Sequence, residues 1–158
     1  MLVETLTYRT IELPRDAARA VAYHADACRA SFGAGEYERR LERPEHYLDR
    51  LGAAIEEYPE GHLLALDGAE CVGQMELRAP YGLAVGYVNL FYVAAGFRRR
   101  GYGRAMHGRA ERYFRSWEAR RVELHVSPVN PAAVRFYQAM GYALARREGD
   151  MLRMAKEV

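Results

Sequence analysis

Residues 93–103 read VAAGFRRRGYG and form the most informative stretch of this 158-residue chain. An apolar run typical of a strand, residues 85–93, leads into it, and a run typical of a helix, residues 104–117, follows it. A helix N-terminus after such a turn presents free backbone N–H groups, and the helix dipole adds positive potential there. Gly101 and Gly103 let the backbone approach a ligand because they carry no Cβ. The stretch therefore predicts an anion site, most simply for phosphate.

The composition of the chain is that of an ordinary globular protein, with 50% hydrophobic and 28% charged residues. Its length suits one domain with a hydrophobic core, so we expect a single domain over residues 1–158. It has no run of ~20 apolar residues that could span a membrane, and residues 1–4 lack the pattern of a secretory signal. Cys28 and Cys71 do not suggest a disulfide scaffold. We therefore expect a cytoplasmic protein without a membrane partner.

The positive charge of the chain is concentrated in one segment. Nine arginines lie between Arg98 and Arg121, although the net charge is only +2. Arginine binds planar oxyanions such as phosphate or carboxylate with paired donors. A nucleic-acid site would be an alternative, but Arg109, Arg112 and Arg115 are more simply a solvated helix face. We expect no nucleic-acid partner.

The spacing of apolar residues predicts an α/β fold. The predicted order is strand, two helices, three strands, helix, strand, helix and two strands. Asp16 is the expected N-cap of the first helix, and Pro44 interrupts the second helical region. The predicted strands cover residues 5–13, 62–66, 70–77, 86–93, 122–126, 142–147 and 151–156.

Two common phosphate-binding patterns do not match the glycine turn. A P-loop needs a lysine directly after its last glycine, and this turn has none. The dinucleotide fingerprint needs a third glycine where Met106 stands. It also needs an acidic residue at the end of the next strand, whereas Glu123 lies within that strand. The turn therefore belongs to another class of phosphate site.

The pattern Arg98-x-x-Gly101-x-Gly103 resembles the Arg/Gln-x-x-Gly-x-Gly/Ala loop of the GNAT N-acetyltransferase superfamily. A second block, residues 130–142, reads NPAAVRFYQAMGY and resembles that family's Asn-x-x-Ala-x-x-apolar-Tyr-x-x-x-Gly-aromatic segment. The resemblance covers nearly the whole chain, although the N-terminal half matches only in outline. It implies a mixed, mostly antiparallel sheet of six to seven strands with about four helices, splayed between the fourth and fifth strands.

The resemblance implies that acetyl-CoA is the cosubstrate and that no metal is needed. His24 and Cys28 stand four residues apart on a predicted helix, but two ligands do not make a metal site. The implied pyrophosphate cradle, acting mainly through backbone N–H groups, is Arg98, Arg99, Arg100, Gly101, Tyr102, Gly103 and Arg104. The implied pantetheine contacts are Phe91, Tyr92 and Val93, with the Val93 N–H supporting the oxyanion. The helix residues implied at the cofactor are Asn130, also a candidate N-cap, Ala133 and Phe136, also a core residue.

Tyr137 is the residue that the resemblance favours for proton transfer. A thiol has a pKa of ~8.5 and a phenol of ~10, so tyrosine can protonate a departing CoA thiolate. The alternative is that Tyr137 only packs on its helix. Some family members carry a glutamate base in the strand before the loop, but residues 86–93 contain no carboxylate. Glu76 and His125 are the substitute candidates, and each could instead be structural.

The predicted activity is transfer of an acetyl group from acetyl-CoA to a primary amine of a small molecule or peptide. The alternative is a catalytically silent acyl-CoA sensor of the same fold. We expect the acceptor site in the loops 31–37 and 148–150, where Glu36, Glu148 and Asp150 would suit a cationic amine. A homodimer is possible, since dimers are frequent in the family. The sequence identifies neither the acceptor nor the preferred acyl chain.

Overall fold

A seven-stranded sheet organises the protein in the computed structural model, which describes residues 5–80 and 82–158. Residues 1–4, on which the signal-sequence expectation falls, lie outside the described residues. The strands are β1 (Thr7–Thr10), β2 (His62–Asp67), β3 (Glu70–Arg78), β4 (Val85–Val93), β5 (Arg121–Val126), β6 (Ala143–Glu148) and β7 (Met151–Glu157). The α-helices are α1 (Ala17–Phe32), α2 (Tyr37–Arg40), α3 (Pro44–Glu57), α4 (Tyr102–Ser116) and α5 (Pro131–Ala139).

The sheet opens between β4 and β5. The strand order is β1-β2-β3-β4-β5-β7-β6, and every neighbouring pair is antiparallel except β4 with β5. Parallel pairing runs from Val85 opposite Arg121 only to Val88 opposite Leu124, although β4 continues to Val93. The two strands therefore separate beyond Val88. This confirms the predicted fold class, including the splay between the fourth and fifth strands.

Both faces of the sheet are covered by helices. The amphipathic helix α4 buries Met106, Ala110 and Phe114 in the larger hydrophobic cluster. On the other face, Tyr47 and Leu51 of α3 pack with residues of α1, β2 and the segment after β1. Adjacent residues of a strand point to opposite faces, so β2 contributes to both clusters. The site between β4 and β5 is thus held by a sheet that is packed on each side.

The predicted interruption of the second helical region at Pro44 is confirmed, because α2 ends at Arg40 and α3 begins at Pro44, which makes five α-helices among the described residues. Two other local predictions are corrected by the structure. The predicted helix after the glycine turn reaches residue 117, but Trp117 lies just past the end of α4 and is 46% exposed. Asp16 occupies the N-cap position without capping. Its carboxylate instead accepts two 2.7 Å hydrogen bonds from the Arg9 guanidinium, a stronger charge-assisted contact.

Candidate active site

The gap between β4 and β5 leads into a cleft of about 660 Å³. The cleft runs from the loop before α4, along the open edge of β4, to α5 and the end of β5. Most residues predicted for the site line it, which brings together two sequence blocks that are separated by β5. These are Phe91, Tyr92, Val93, Arg98, Arg99, Gly101, Gly103, Arg104, His125, Asn130, Ala133, Phe136 and Tyr137.

The loop before α4 is shaped to present backbone N–H groups. Gly101 has φ of 86° at the N-cap of α4, a left-handed conformation that favours glycine. The first helical hydrogen bond joins the Ala105 N–H to the Gly101 carbonyl over 3.2 Å. The N–H groups of residues 102–104 precede that bond and have no partner within the helix. They form a concentrated set of donors for an anion at the mouth of the cleft.

Gly103 lies where α4 and α5 approach each other. A Cβ at this position would stand 3.2 Å from Cε2 of Phe136, closer than ordinary van der Waals contact. Phe136 therefore packs against the backbone of the loop and also lines the cleft. Asn130 caps α5, because its Oδ1 accepts the Ala133 N–H over 3.3 Å, and it lines the same cleft. The expected capping role of Asn130 is confirmed.

The open edge of β4 offers further donors to the cleft. The Ala94 N–H bonds to the Val72 carbonyl on β3 over 2.8 Å. Successive N–H groups of an extended strand point to opposite edges, so the N–H groups of Val93 and Phe91 point away from β3. Beyond Val88 that edge pairs with no strand of the described chain. The edge can therefore bind an extended polar ligand in place of a neighbouring strand.

The arginines of the loop do not share one role. Arg98 makes contacts within the protein. Its Nε donates to the Val93 carbonyl over 2.8 Å, and its Nη2 lies 3.1 Å from Asp26. Tyr92 also donates to Asp26, and burial together with that contact raises the Tyr92 pKa to about 12. Arg99 lines the cleft. Arg98 thus connects α1 to the end of β4.

Arg100 and Tyr102, predicted as cofactor contacts, do not bring their side chains to the cleft. The Arg100 guanidinium lies over the ring of Phe97, 5.7 Å from its centre. The Tyr102 hydroxyl donates to Asp67 at the β2–β3 turn. These two residues can contribute to the predicted cradle through their backbone groups only.

Tyr137 lies in an aromatic cluster against the cleft and is 8% exposed. Its ring packs edge-on against Phe91, Phe136 and Tyr142, with centroid separations of 6.4, 5.3 and 5.6 Å. Burial raises the pKa of its phenol, which keeps the hydroxyl protonated at neutral pH. Tyr137 is therefore a hydrogen-bond donor fixed in position, as proton transfer to a leaving group requires.

Glu76 does not reach the cleft, so its geometry gives no support to the predicted role as base. The side chain is 2% exposed and points to the face covered by α1 and α3. Its carboxylate accepts hydrogen bonds from Tyr47 over 2.7 Å and from Gln74 over 3.0 Å. Burial raises the pKa of Glu76. Its environment is that of a structural polar group in the core.

His125 does line the cleft, and both of its ring nitrogens have partners. Nε2 lies 2.6 Å from the carboxylate of Glu148, and Nδ1 contacts the hydroxyl of Tyr87. Tyr87 is not among the residues predicted for the site from the sequence. No local signal could have found it, because its contact depends on the parallel register of β4 with β5. The three side chains come from β4, β5 and β6.

The acids predicted for the acceptor loops are each paired with arginine. Glu148 contacts Arg146 over 2.6 Å. Arg40 contacts Glu36 over 3.3 Å and also contacts Asp150. The contact between Arg40 and Asp150 connects α2 to the β6–β7 turn. The structure therefore brings the two predicted acceptor loops together, although their carboxylates are already engaged.

The residues considered for a metal site and for a nucleic-acid site contact other side chains of the protein. In the described chain, no group of three or more His, Cys, Asp or Glu side chains is arranged to hold a metal ion. His24 stacks on Tyr47 with ring centres 4.0 Å apart. Arg109 lies over the ring of Tyr8, and Arg115 bonds Glu111 over 2.8 Å. None of the helices in the described ranges combines the length and apolar character needed to cross a membrane.

Comparisons with known proteins agree with this geometry. The sequence model of the acetyltransferase (GNAT) family matches residues 22–142. No curated protein sequence matches the chain. The PaiA N-acetyltransferase of Thermoplasma acidophilum, solved in complex with coenzyme A, is 16% identical with a TM-score of 0.83, covering 97% of this chain and 99% of that one.

Two further solved structures are similar over their whole length. The spermidine N-acetyltransferase of Vibrio cholerae, in complex with CoA and spermine, is 18% identical with a TM-score of 0.76, covering 98% of this chain and 96% of that one. An acetyltransferase of Thermus thermophilus is 24% identical with a TM-score of 0.76, covering 100% of this chain and 100% of that one. At these identities the likeness shows a shared fold.

Proposed function

Because this chain belongs to the acetyltransferase (GNAT) family, we propose that it transfers an acetyl group from acetyl-CoA to a primary amine. One observation carries the proposal. A single cleft joins the N–H groups at the start of α4, the open edge of β4 and the buried phenol of Tyr137. The N–H groups suit a phosphate, the strand edge suits an extended ligand with amide groups, and the phenol is a proton donor. Two similar structures that were solved with CoA support this choice of donor.

The residues present fit acetyl-CoA. The N–H groups of residues 102–104 suit the pyrophosphate, and Arg99 and Arg104 line the same end of the cleft. The open edge of β4 suits the pantetheine arm, whose amides can replace the missing strand. Phe136 and Ala133 of α5 supply the opposite wall. Acetyl-CoA would bring the activated acetyl group, and the chain would hold and orient it.

The proposed reaction needs two actions from the protein beyond binding: stabilising an oxyanion and protonating the leaving group. The amine nitrogen forms a bond to the thioester carbonyl carbon, and the carbonyl electrons move to oxygen. The N–H groups of Val93 and Phe91 are the available donors for that oxyanion, which extends the expectation based on Val93 alone. When the C–S bond breaks, the sulfur keeps the electron pair and takes a proton from Tyr137. A positioned acid of this kind contributes about 10²–10⁴-fold in rate.

The charge of the cleft narrows the proposed acceptor. Within the described chain, the cleft is lined by the arginines 98, 99, 104 and 135 but by no aspartate or glutamate. A polycation would find no free carboxylate to anchor its second charge. We therefore favour a small-molecule or peptide monoamine over a polyamine such as the spermine bound by the Vibrio cholerae enzyme. The possible homodimer and the cytoplasmic location stay predictions.

The test combines binding and turnover on the purified protein. Titration calorimetry with acetyl-CoA should show binding, and a thiol-reactive dye should report CoA release with a panel of amines. We expect faster turnover with amino-acid amides or short peptides than with spermine or spermidine. Binding of acetyl-CoA without turnover on any amine would support the silent acyl-CoA sensor instead. A protein that neither binds acetyl-CoA nor is stabilised by it would contradict both proposals.

A further inference from the structure

Three titratable side chains form a continuous hydrogen-bonded chain beside the cleft. The Tyr87 hydroxyl contacts Nδ1 of His125, and Nε2 of His125 lies 2.6 Å from Oε2 of Glu148. The rings of Tyr87 and His125 have centres 5.7 Å apart. Each residue comes from a different strand, so the sheet itself holds the chain in place. This cluster lies outside the leaving-group and phosphate sites described above.

The three hydrogen-bonded side chains lie at the point where β4 and β5 separate. The last parallel pair is Val88 with Leu124. Tyr87 precedes that pair on β4, and His125 is the next residue after it on β5. His125 and the neighbouring Asn89 line the cleft. The hydrogen-bonded chain therefore lies at the closed end of the gap, far along β4 from the glycine turn.

The partners of His125 determine where its proton lies. A neutral imidazole has one donor and one acceptor nitrogen, and an ionised carboxylate only accepts. Nε2 therefore donates to Glu148, and Nδ1 accepts from the Tyr87 hydroxyl. In this arrangement the phenol oxygen of Tyr87 still has lone pairs that can accept a proton. Burial raises the pKa of Tyr87, so the phenol is protonated before any reaction.

We propose that Tyr87, His125 and Glu148 form a proton relay that takes the proton released by the attacking amine. The proposal rests on the acetyl-transfer function. As the nitrogen bonds to the carbonyl carbon, one N–H proton moves to the Tyr87 oxygen, and the phenol proton moves to Nδ1 of His125. The imidazolium that forms is paired with the Glu148 carboxylate. Tyr87 is the catalytic residue, and the other two are positioning residues that hold the proton.

The relay has a route for resetting. The side chains of His125 and Glu148 are 27% and 31% exposed, so the proton can pass from the imidazolium to water after the amide product leaves. Tyr137, which has given its proton to the CoA sulfur, regains one from water, so the proton released by the amine and the proton taken up by the thiolate balance. No oxidant or further reactant is needed. The relay thus replaces the carboxylate base that β4 lacks.

Charged side chains of β3, β5, β6 and β7 face the relay. Hydrogen bonding from His125 and the nearby arginines lower the pKa of Glu148, which keeps it ionised. Arg78 of β3 lies over the Tyr87 ring, and Arg146 of β6 contacts Glu148. Arg153 of β7 lies opposite His125 and is 2.9 Å from Glu148. Glu123 of β5 is two residues from His125 on the same strand.

The experiment compares Tyr87→Phe, His125→Gln and Glu148→Gln with the wild type, using acetyl-CoA and the best amine from the panel. We expect the first two to lower kcat by about 10²–10⁴-fold while acetyl-CoA affinity is unchanged. Glu148→Gln should also lower kcat without changing acetyl-CoA affinity, since the imidazolium that forms during the reaction loses its charged partner. Glu157→Gln, an exposed carboxylate at the end of β7, is the matched control.

The outcomes separate the relay from the proposed function. A wild type without acetyl-CoA binding or CoA release contradicts the function itself. An active wild type whose Tyr87→Phe variant keeps the wild-type kcat overturns the relay. Loss of activity in His125→Gln alone also overturns it, since His125 would then accept the proton directly. Tyr87→Phe removes one hydroxyl, so it keeps the test decisive if His125→Gln fails to fold.

Discussion

The hydroxyl of Tyr47 donates a 2.7 Å hydrogen bond to the carboxylate of Glu76 between α3 and the sheet. Gln74 donates to the same oxygen over 3.0 Å, which leaves its own Oε1 buried without a partner among the described residues. Burial raises the pKa of both Tyr47 and Glu76. This contact assigns Glu76 to the core under α3, and the cleft is left to the residues of β4, β5 and α5.

The substitution Glu76→Gln should therefore change the free energy of unfolding and its pH dependence, and it should leave catalysis unchanged. A carboxyl whose pKa is raised by folding favours the folded state most below its unfolded pKa of ~4.3, and this stabilisation is lost as pH rises through the folded pKa. The variant should gain in free energy of unfolding relative to the wild type between pH 5 and pH 8. Urea unfolding at both pH values measures this, with the exposed Glu70→Gln of the same strand as control. A large loss of kcat in a stable Glu76→Gln variant would contradict it.

Tyr137→Phe should lower kcat by about 10²-fold and leave acetyl-CoA affinity unchanged. The substitution keeps the aromatic packing against Phe91 and Tyr142 and removes only the proton donor. Steady-state kinetics and calorimetry measure the two effects separately. Tyr113→Phe is the control, because the Tyr113 hydroxyl is buried away from the cleft without a partner among the described residues. Equal kcat values for the two variants would show that Tyr137 only packs.

Gly103→Ala should weaken acetyl-CoA binding by about tenfold, or ~1.4 kcal/mol. The added methyl group would stand 3.2 Å from the Phe136 ring and beside the N–H groups at the start of α4, so the ring must shift in the wall of the cleft. Calorimetric titration with acetyl-CoA measures the change. Gly96→Ala is the matched control in the same loop region, since its Cβ would meet nothing within 4 Å. Unchanged affinity in Gly103→Ala would argue against the phosphate site.

Two glycines outside the cleft should respond to alanine with opposite signs. A Cβ at Gly86 would lie 2.2 Å from the ring of Phe114, so Gly86→Ala should destabilise the fold by about 1–3 kcal/mol or more. Gly108 lies inside α4 with open space around its Cβ, and Gly108→Ala should stabilise by about 0.5–1 kcal/mol. Urea unfolding gives both values. Similar stabilities for the two variants would contradict the packing of β4 against α4.

The parts of the site that the sequence predicted are those built from contiguous residues. The loop with Gly101 and Gly103 and the helix with Asn130 and Tyr137 each place their groups through local backbone geometry. A helix N-terminus exposes its N–H groups wherever it lies, so their chemistry could be inferred before their position. The resemblance to the GNAT family then implied which strands separate, and the structure places the two blocks on one cleft.

The assignments for Glu76 and His125 show where sequence reasoning stopped. Both are polar residues within predicted strands, and the sequence left each open as a base or as a structural group. The face of the sheet and its neighbours distinguish them, because Glu76 points toward α3 and His125 toward the opening. The structural role of Arg98 could not be predicted from the sequence either, because its contact with Asp26 joins residues that are 72 positions apart.

The sequence by itself determined the fold class, the family and the residues of the proposed donor site, because short motifs encode the turns and helix starts that form it. Only the tertiary structure decided which side chains share the end of the cleft that we propose for the acceptor. The parallel register of β4 with β5 brings Tyr87 to His125, and strand pairing through β7 brings Glu148 to the same imidazole. Such contacts arise from packing between distant segments. For this reason, the residues of the glycine turn could be predicted from the sequence, and the proposed relay at the other end of the cleft could not.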